Sequence, residues 1–275
     1  MFGDSKSRPG LRGYATNILH SLFYLAAIFL FAPAIWSGVA AIRDVIGMQG
    51  LINLQIVDNS TYLNQAVIFT IFLFFMDGFQ YWWHRAQHYF PFLWDQHVVH
   101  HSDPTINVTT AVRHHWTEFM FQAFAVALPL SIIFNIKPYW SGSVGLVFGS
   151  FQFILHSNLK IHFGRWSWLV SSPGMHRIHH SILPEHNDKN FAAYFPIWDV
   201  IFGTYHRPKG ELPPSGVAAV RHDTVFSLST YPFVMWWRQI YAVIERAADR
   251  RSRDSLRASP ETGRLDCSVS EHETG

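Results

Sequence analysis

Cysteine is nearly absent from this sequence, since Cys267, near the C-terminus, is the only one in 275 residues. A single cysteine forms no intramolecular disulfide and cannot build a zinc site from several thiolates. Any bound metal must therefore be held by nitrogen and oxygen ligands. The sequence also lacks E-x-x-H, H-E-x-x-H, G-x-S-x-G, P-loop and dinucleotide-binding motifs. These absences exclude the zincin proteases and the soluble Glu-x-x-His di-iron proteins, and they argue against nucleotide-dependent chemistry.

Charged residues are sparse as well, at 15% of the chain, and the formal net charge is only +2. No basic stretch with interleaved aromatic residues occurs, so nucleic acid is not expected as a partner. The apolar residues are gathered into long blocks with almost no charge, and the charged residues collect between these blocks and at both ends. This distribution is typical of a multi-pass membrane protein.

Four apolar segments are predicted to be membrane helices, which makes the fold class all-α. Each reaches or approaches the roughly 20 residues that a helix needs to cross the hydrocarbon core. Their predicted bounds are Ile18–Ile42, Ala66–Trp83, Phe119–Ile136 and Trp140–Leu155. The last two are short, so a re-entrant hairpin is an alternative for either. The apolar run that follows Lys6, Arg8 and Arg12 is too long for the core of a cleavable signal peptide, so none is expected.

The basic residues in short loops predict the orientation of these helices. Most of them precede the first helix, lie between the second and third helices, or follow the fourth. An even number of crossings with both termini in the cytoplasm satisfies this distribution. The chain is therefore expected to be an integral membrane protein, either of a bacterial inner membrane or of the endoplasmic reticulum.

Composition divides the chain into three parts. Residues 1–208 contain the apolar blocks and most histidines, and they are predicted to form one catalytic membrane unit. Residues 209–249 combine a Pro/Gly linker with an amphipathic segment, which is interpreted either as a helix on the membrane surface or as a packing helix. Residues 250–275 are polar and charged, and they are predicted to be disordered.

Histidine is unusually frequent, with 17 residues. The sequence contains one H-x-x-x-H motif (His84, His88), two H-x-x-H-H motifs (His97, His100, His101 and His176, His179, His180) and the neighbouring His156 and His162. The histidine frequency predicts roughly 0.07 copies of H-x-x-H-H by chance. On a helix, positions i, i+3 and i+4 share one face, so each H-x-x-H-H is predicted to point three imidazoles in one direction.

The number and position of these motifs indicate a metal site. Imidazole binds zinc, iron and copper well, and every motif lies at a predicted cytoplasmic helix end or in the polar stretch that follows. Helical bundles build metal sites where facing helices converge. Since these motifs hold too many imidazoles for one ion, we expect a cytoplasmic helical cap that carries a histidine-rich site for two metal ions.

Several polar residues are candidates for contacts with these imidazoles. Asp77 lies seven residues before His84 on the same helical face, and it is predicted to accept the second N–H of a ligand imidazole or to bond another helix. Arg113 and Glu118 are expected to pair beside the site. Asn158, Asp188 and Asn190 are further polar candidates. Of all these residues, Asp77, Glu118 and Asn190 are the candidates for a direct role in catalysis.

The remaining histidines are less clearly placed by the sequence. His114, His115 and His186 are interpreted either as members of the site or as its neighbours. His20, His206, His222 and His272 are predicted to lie outside it, because an isolated histidine is more often a surface or core residue than a ligand.

Taken together, these motifs resemble the fatty acid hydroxylase/sterol desaturase superfamily, with its bacterial sterol-desaturase-like and alkylglycerol monooxygenase branches the most similar. The resemblance covers about residues 77–205. Besides the histidine motifs, it is carried by NVTTAVRHHWTE, FQFILHSNL, SSPGMHRIHHS and DKNFAAYFPIWDVIFGTYHRP. Each segment alone is a weak signal, whereas the combination is specific.

The resemblance implies a membrane oxidoreductase that uses two iron ions and O₂ to hydroxylate or desaturate an unactivated C–H bond in a lipid. It implies that the ligands are His84, His88, His97, His100, His101, His156, His162, His176, His179 and His180, with His162 at a spacing that varies within the family. Zinc can replace iron during preparation. No cytochrome b5 or reductase segment is fused here, so a separate donor of the cytochrome b5, ferredoxin or reductase type is expected.

Three readings stay open besides lipid hydroxylation, which we favour. The first is a lipid desaturase of the same family. For either enzyme the substrate could be a fatty acid, a sterol or hopanoid, an ether lipid or a carotenoid. The second is a metal transporter, but the predicted helices have no mid-membrane ionisable residue except Asp77. The third is a membrane protein that binds zinc without catalysis, because imidazole clusters accept zinc readily.

Overall fold

The computed structural model of the chain describes residues 10–48, 50–54, 61–135, 138–217, 220 and 224–258. It confirms a mostly helical chain. In order, the elements are α1 (Leu11–Ile46), β1 (Ile52–Asn53), α2 (Tyr62–Tyr89), α3 (Pro91–His101), α4 (Glu118–Gln122), a π-helical turn (Ala123–Ala127), α5 (Leu128–Ile133), β2 (Phe134–Asn135), α6 (Pro138–Leu155), α7 (Pro173–His179), α8 (Ile197–Ile201) and α9 (Val225–Ala258). Strands β1 and β2 form a short parallel pair in which Ile52 lies opposite Phe134. Cys267, His222 and His272 lie outside the described residues.

Two helices of the described chain, α1 and α2, are long and apolar enough to cross a membrane by length and composition. They have 36 and 28 residues, so both extend beyond the predicted bounds of the first and second spans. The predicted third and fourth spans correspond to the shorter apolar helices Glu118–Ile133 and Ser141–Leu155. The histidine-bearing helical architecture is therefore confirmed, whereas four crossings remain a prediction.

Helix α2 carries the first histidine motif because it continues past the predicted end of the second span. It begins after Thr61, whose side chain accepts a hydrogen bond from the backbone N–H of Asn64 at 3.2 Å, which satisfies one of the free N–H groups at the helix start. It ends only at Tyr89, so His84 and His88 lie on its last turns. Pro91 then starts α3, where its fixed φ and missing N–H are tolerated.

The main apolar core lies between α2, the helical stretch of residues 118–133 and α6. Ile68, Phe72 and Leu73 of α2 pack with Val126 and Leu130 in this core. Fully burying such a side chain contributes roughly 1.5–3 kcal/mol, so this packing holds together the helices whose ends carry histidines. A second small core joins Val98 and Val99 of α3 to Leu228 at the start of α9.

Helix α7 begins with a side-chain cap and a proline. The side chain of Ser172 accepts a hydrogen bond from the backbone N–H of Met175, and Pro173 occupies the first helical turn. This cap fixes where the final H-x-x-H-H motif enters its helix. All three histidines of the motif are buried.

The chain divides into two compact units, residues 1–232 and 233–275. Residues beyond the predicted boundary at 208 remain with the first unit, since Ser215 pairs with Ser181 in a β-bridge and Leu228 is fully buried. The described part of the second unit is the C-terminal stretch of α9. Because α9 ends at Ala258, residues 250–258 are helical, although the tail was predicted to be disordered. Residues 259–275 lie outside the described chain.

Candidate metal centre

Five imidazoles from three helices form one cluster, which we call the five-histidine group. Its members are His84 and His88 from α2, His97 and His101 from α3, and His179 from α7. The Nε2 atoms of His84 and His97 are 3.0 Å apart. The Nε2 atom of His101 lies 3.2 Å from those of His88 and His97 and 3.1 Å from that of His179. The five rings therefore turn the same nitrogen towards a common centre.

Four further imidazoles form the four-histidine group, which consists of His100, His156, His176 and His180. All four side chains are buried. The Nε2 atom of His156 lies 3.1 Å from that of His100 and 2.8 Å from that of His176, and the Nε2 atoms of His176 and His180 are 3.1 Å apart. This group repeats the convergence of the first one with residues of α3, α7 and the end of α6.

Each H-x-x-H-H motif contributes to both groups, so the prediction that its three imidazoles point in one direction is wrong. Of the first motif, His97 and His101 join the five-histidine group, whereas His100 joins the four-histidine group. In the second motif, His176 and His180 join the four-histidine group and His179 joins the other. Positions i and i+4 are about 40° apart around a helix axis, whereas i+3 and i+4 are about 100° apart, which explains the split.

The second ring nitrogen of several imidazoles is held by a backbone carbonyl. Three Nδ1 atoms donate in this way: His84 to Phe191 at 2.8 Å, His156 to Gln152 at 2.8 Å, and His179 to Lys189 at 2.9 Å. A carbonyl oxygen only accepts hydrogen bonds, so Nδ1 carries the proton and Nε2 of each neutral ring presents a lone pair. Lone pairs facing one another at about 3 Å would repel in the absence of a cation, so this donor set fits metal ions.

The distances within the groups also fit metal coordination. For a metal–nitrogen bond of roughly 2.1 Å, two ligands at right angles are about 3.0 Å apart. The Nε2 separations of 2.8 to 3.2 Å match this spacing. The residues present therefore fit two neighbouring metal ions, one in each group.

The protonation state of the rings suits this role. Burial lowers the pKa of the His100, His101, His176, His179 and His180 imidazoles well below the usual value, and neighbouring imidazoles lower it further. The rings are consequently neutral at physiological pH, which is the form that binds a metal.

Two carboxylates lie beside ligand imidazoles. Glu118 Oε1 is 3.6 Å from His97 Nδ1, and Asp188 Oδ1 is 3.4 Å from His88 Nδ1. A carboxylate in this position orients the ring and makes the other nitrogen a better ligand. The expected pairing of Glu118 with Arg113 is wrong, because the Arg113 guanidinium instead donates to Asn17, Ser102 and the carbonyl of Val99.

Glu118 also joins the two groups through His114. Its Oε2 atom lies 3.0 Å from His114 Nδ1, while its Oε1 atom accepts a hydrogen bond from Gln87 at 2.8 Å. The His114 ring stacks on that of His100 with centroids 4.5 Å apart. Burial lowers the pKa of His114, but the Glu118 carboxylate and a backbone hydrogen bond at Ala111 raise it, so the pKa is above its usual value. His114 is thus a neighbour of the site, and it belongs to neither group.

Asp77 is buried and contacts backbone instead of an imidazole. It accepts hydrogen bonds from the N–H groups of Ala193 and Tyr194 at 3.2 and 2.9 Å, and from that of Phe195 at 2.7 Å. The prediction that it accepts a hydrogen bond from a ligand imidazole is therefore wrong, and its partners lie in a loop, where the alternative prediction expected another helix. Asp77 fixes the loop whose earlier residue Phe191 holds His84, so it acts on the site through the backbone.

Asn190 and Asn158 also contact backbone or other side chains. Asn190 donates to the carbonyls of Met175 and His206 at 3.3 and 2.9 Å, and it has a positive φ of 57°. Asn158 accepts a hydrogen bond from Arg177 at 2.8 Å. Asn190 thus positions the loop behind α7 and does not contact the ligand rings directly through these bonds.

The other histidines of the described residues lie outside both groups. His162 is exposed and lies near Gly210, so it is not brought together with the nine imidazoles. His115 Nε2 lies 3.0 Å from the carbonyl oxygen of Ser229, and His20 is fully buried in α1. His186 lies close to His206, apart from both groups.

A cavity of about 570 Å³ reaches both histidine groups. Its wall includes His84 and His97 from one group and His100, His156 and His176 from the other. Most of the remaining wall is apolar or small, with Met76, Trp83, Gly145, Leu146, Phe148, Gly149 and Phe153 among its residues.

Two glutamines add polarity to this cavity and were missed by the sequence analysis. Gln122 donates a hydrogen bond to Gln80 at 3.0 Å, and both line the cavity. A signal was available, because Gln80, His84 and Gln87 follow one another at i, i+4 and i+7 and therefore share one face of α2.

Comparison with known proteins agrees with this geometry. Residues 69–204 match the family model "Fatty acid hydroxylase", and this stretch contains all nine imidazoles of the two groups. No solved structure matches the chain.

Several curated proteins are similar over the same region. The alkylglycerol monooxygenase of Caenorhabditis elegans is 35% identical over 170 residues, which are 60% of this chain and 32% of that protein. The alkylglycerol monooxygenase of Homo sapiens is 32% identical over 46% of this chain and 27% of its own length. The ornithine lipid hydroxylase of Rhizobium tropici is 30% identical over 46% of this chain and 38% of its own length. The match thus spans about a third of the length of these relatives.

Proposed function

Residues 69–204 make this chain a member of the fatty acid hydroxylase family, and from that premise we propose that it is a membrane di-iron enzyme that inserts oxygen from O₂ into a C–H bond of a lipid. The observation that carries the proposal is the convergence of nine imidazole nitrogens in two adjacent groups at the wall of a largely apolar cavity. The named relatives that oxygenate lipids support the same reaction class.

The two histidine groups would hold one iron ion each. When bound, the iron ions supply the oxidising power that is needed to cleave an unactivated C–H bond with O₂ and external electrons. The five-histidine group would hold one ion with up to five imidazole nitrogens and the four-histidine group the other with up to four. Zinc occupies such sites readily, so preparations are expected to contain both metals.

The residues of the chain itself would orient the ligands and exclude water. Glu118 lies 3.6 Å from His97 Nδ1 and Asp188 lies 3.4 Å from His88 Nδ1, where each carboxylate would help to orient its ring. The carbonyls of Phe191 and Lys189 do the same for His84 and His179. Fixed rings around a buried centre limit side reactions with bulk water.

The cavity would receive the part of the lipid that is oxidised. Leu146 and Phe153 of α6 line it and are 70% and 44% exposed, so the wall at α6 reaches the protein surface. A Cβ atom added at Gly145 or Gly149 would meet no atom within 4 Å, so both positions leave open space. An apolar chain could therefore enter from the bilayer beside α6, with its reactive carbon near the metals and a polar group near Gln80.

We propose a fatty acid, a sterol or hopanoid, or an ether lipid as substrate, and hydroxylation instead of desaturation, a choice that the monooxygenase and hydroxylase relatives support. The electrons would come from a separate cytochrome b5, ferredoxin or reductase. We further propose that residues 1–208 are the catalytic unit, that four helices cross the membrane, and that the histidine groups face the cytoplasm. The two helices of sufficient length support a membrane location.

A lipid comparison tests the reaction. Membranes from cells that express the chain, supplied with heavy-isotope O₂, should yield a lipid that has gained one labelled oxygen atom in mass spectrometry. The His100→Ala and His179→Ala variants should not yield it, whereas the exposed His162→Ala control should. A lipid that has lost two hydrogen atoms would identify a desaturase instead. If the lipid composition is the same in all strains and the purified protein shows no Fe(II)-dependent O₂ consumption, the chain is a non-catalytic metal-binding protein or a transporter.

A further inference from the structure

Two histidines outside both groups form a small cluster with a carboxylate. His186, His206 and Glu211 each offer one ligand atom, and these three atoms lie within 4.8 Å of one another. The rings of His186 and His206 have centroids 4.9 Å apart and are inclined by 76°. None of the three lines the cavity that reaches the histidine groups, so the cluster is separate from the proposed reaction.

We propose that His186, His206 and Glu211 form a third metal site, which takes one zinc ion or a similar divalent transition metal. Two imidazoles and one carboxylate are a ligand set that zinc accepts in proteins, with water as the fourth ligand. In a tetrahedral zinc site the ligand atoms are roughly 3.4 Å apart. His206 and Glu211 are half-buried side chains at the surface, so small rotations bring their ligand atoms to this distance.

His186 is oriented for such a role by a hydroxyl group. Its side chain is buried, and Nδ1 lies 2.9 Å from Ser181 Oγ. This contact leaves Nε2 as the nitrogen for the metal. A hydrogen bond at the second ring nitrogen is the usual companion of a metal-binding imidazole, because it fixes the tautomer and the ring.

His206 is held through its backbone. Its N–H donates to Asn190 Oδ1 at 2.8 Å, and its carbonyl accepts from Asn190 Nδ2 at 2.9 Å. Burial and then His186 lower the pKa of the His206 imidazole, and Lys209 and Lys189 lower it further against the opposite effect of Glu211. The ring is therefore neutral at pH 7, in the form that binds a metal.

Glu211 is placed by a tight turn. Its Oε2 atom accepts a hydrogen bond from the backbone N–H of Lys209 at 2.6 Å. Gly210, between them, has a φ of +89°, which favours glycine and lets the chain reverse. One carboxylate oxygen is thus used to orient the side chain, and the other is left for a metal ion.

This site would be structural. It would link the turn at Pro184–His186 to the segment 206–211, and these two segments flank the loop whose Lys189 and Phe191 carbonyls hold His179 and His84. A metal ion there would fasten the loop behind the two histidine groups, without contact with the reacting lipid.

Counting metal ions in the full-length chain tests the proposal. The protein, loaded with zinc in a lipid nanodisc and dialysed against metal-free buffer, is analysed by mass spectrometry of the elements. Glu211→Gln and His206→Gln should each retain about one zinc ion fewer per chain than the wild type. The control is Glu185→Gln, which makes the same substitution at an exposed carboxylate nearby and should retain the wild-type number. An unchanged zinc count in both site variants would overturn the proposal.

A second measurement separates metal loss from misfolding. Cleavage by trypsin after Lys189 and Lys209 is followed with and without added zinc, and helix content is followed by circular dichroism. Zinc should slow cleavage after Lys209 in the wild type and in the Glu185→Gln control, and it should slow this cleavage less in Glu211→Gln, which keeps the shape of the side chain. Equal protection by zinc in Glu211→Gln and in the wild type would also reject the site. The outcome does not depend on lipid oxidation, so it stands apart from the test of the proposed function.

Discussion

The imidazole rings of His101 and His180 stack with centroids 4.3 Å apart and ring planes at 21°, although they belong to different histidine groups. The first ring comes from the end of α3 and the second follows α7. Their contact makes the two groups direct neighbours, as a site in which two metal ions act on one substrate requires. The five-histidine group is also centred on His101, since its Nε2 atom contacts those of His88, His97 and His179.

From this central position we predict that His101→Ala lowers iron content more than His88→Ala does. The Nε2 atom of His101 contacts three ligand nitrogens of its group, whereas that of His88 contacts the Nε2 atom of His101. Replacing a metal ligand or its direct partner costs roughly 10–100-fold in metal affinity or more. Iron per chain is measured by elemental analysis. It should be highest in the His162→Ala control, lower in His88→Ala and lowest in His101→Ala. An equal iron content in His88→Ala and His101→Ala would contradict a central role.

We predict that Glu118→Gln lowers the rate of lipid oxidation by roughly 10–100-fold, as is typical when the partner of a ligand imidazole is lost. Glutamine removes the charge that orients His97 and that pairs with His114. Turnover of the lipid and iron content are measured in parallel. Glu185→Gln removes an exposed carboxylate and should behave as the wild type does; a Glu118→Gln enzyme of full activity would show that orientation of His97 has no effect.

We predict that Gly145→Leu abolishes or strongly reduces oxidation of a long lipid while iron content stays unchanged. The added side chain would point into open space in the cavity wall and fill part of the volume of about 570 Å³. Val147→Leu changes a partly exposed residue of α6 that is not among those lining the cavity, and it serves as the control. The measurement is the KM and kcat for lipids of two chain lengths. Equal loss with Val147→Leu would point to a general defect of α6 instead.

We predict that Asp77→Asn destabilises the protein by about 2–3 kcal/mol, since it weakens hydrogen bonds between a carboxylate and buried backbone N–H groups. Oδ1 of Asp77 accepts from the N–H groups of Ala193 and Tyr194 and Oδ2 accepts from that of Phe195, so the NH₂ group that replaces one oxygen faces at least one backbone N–H. Thermal unfolding in detergent should show a lower Tm than in the wild type. Iron content should fall as well, because Phe191 in the same loop orients His84. An unaltered Tm would mean that Asp77 does not hold this loop.

We predict that the metal-free protein loses stability as the pH falls below about 6.5, the ordinary pKa of histidine. Burial depresses the folded-state pKa of His100, His101, His176, His179 and His180. The unfolded chain therefore binds more protons than the folded chain in this range, and stability decreases with decreasing pH. The effect is measured by chemical unfolding of the chelator-treated protein in buffers between about pH 5.5 and 8, on both sides of the ordinary histidine pKa. The metal-loaded protein should show a smaller decrease at the same pH, because bound metal competes with protons.

The amino-acid sequence by itself determined the class of this protein and the residue type of its metal centre. Because cysteine is nearly absent, histidine was left as the main candidate metal ligand. The long uncharged blocks predicted helices that the structure contains at 11–46, 62–89, 118–133 and 138–155. These features depend on composition and on neighbours within one helical turn, so they can be read along the chain.

The tertiary structure decided how the histidines are shared and what surrounds them. Periodicity on one helix could not show that His100 leaves its motif to join His156, because that choice depends on the position of α6 against α3. Asp77 was predicted to bond either a ligand imidazole on the same face of α2 or another helix, but a loop more than a hundred residues later supplies its partners. The meeting of His186, His206 and Glu211 depends on a turn at Gly210 and on the bond of Asn190 to His206. Contacts between distant segments arise from packing of the whole chain, and short-range sequence patterns carry no information on which segments meet.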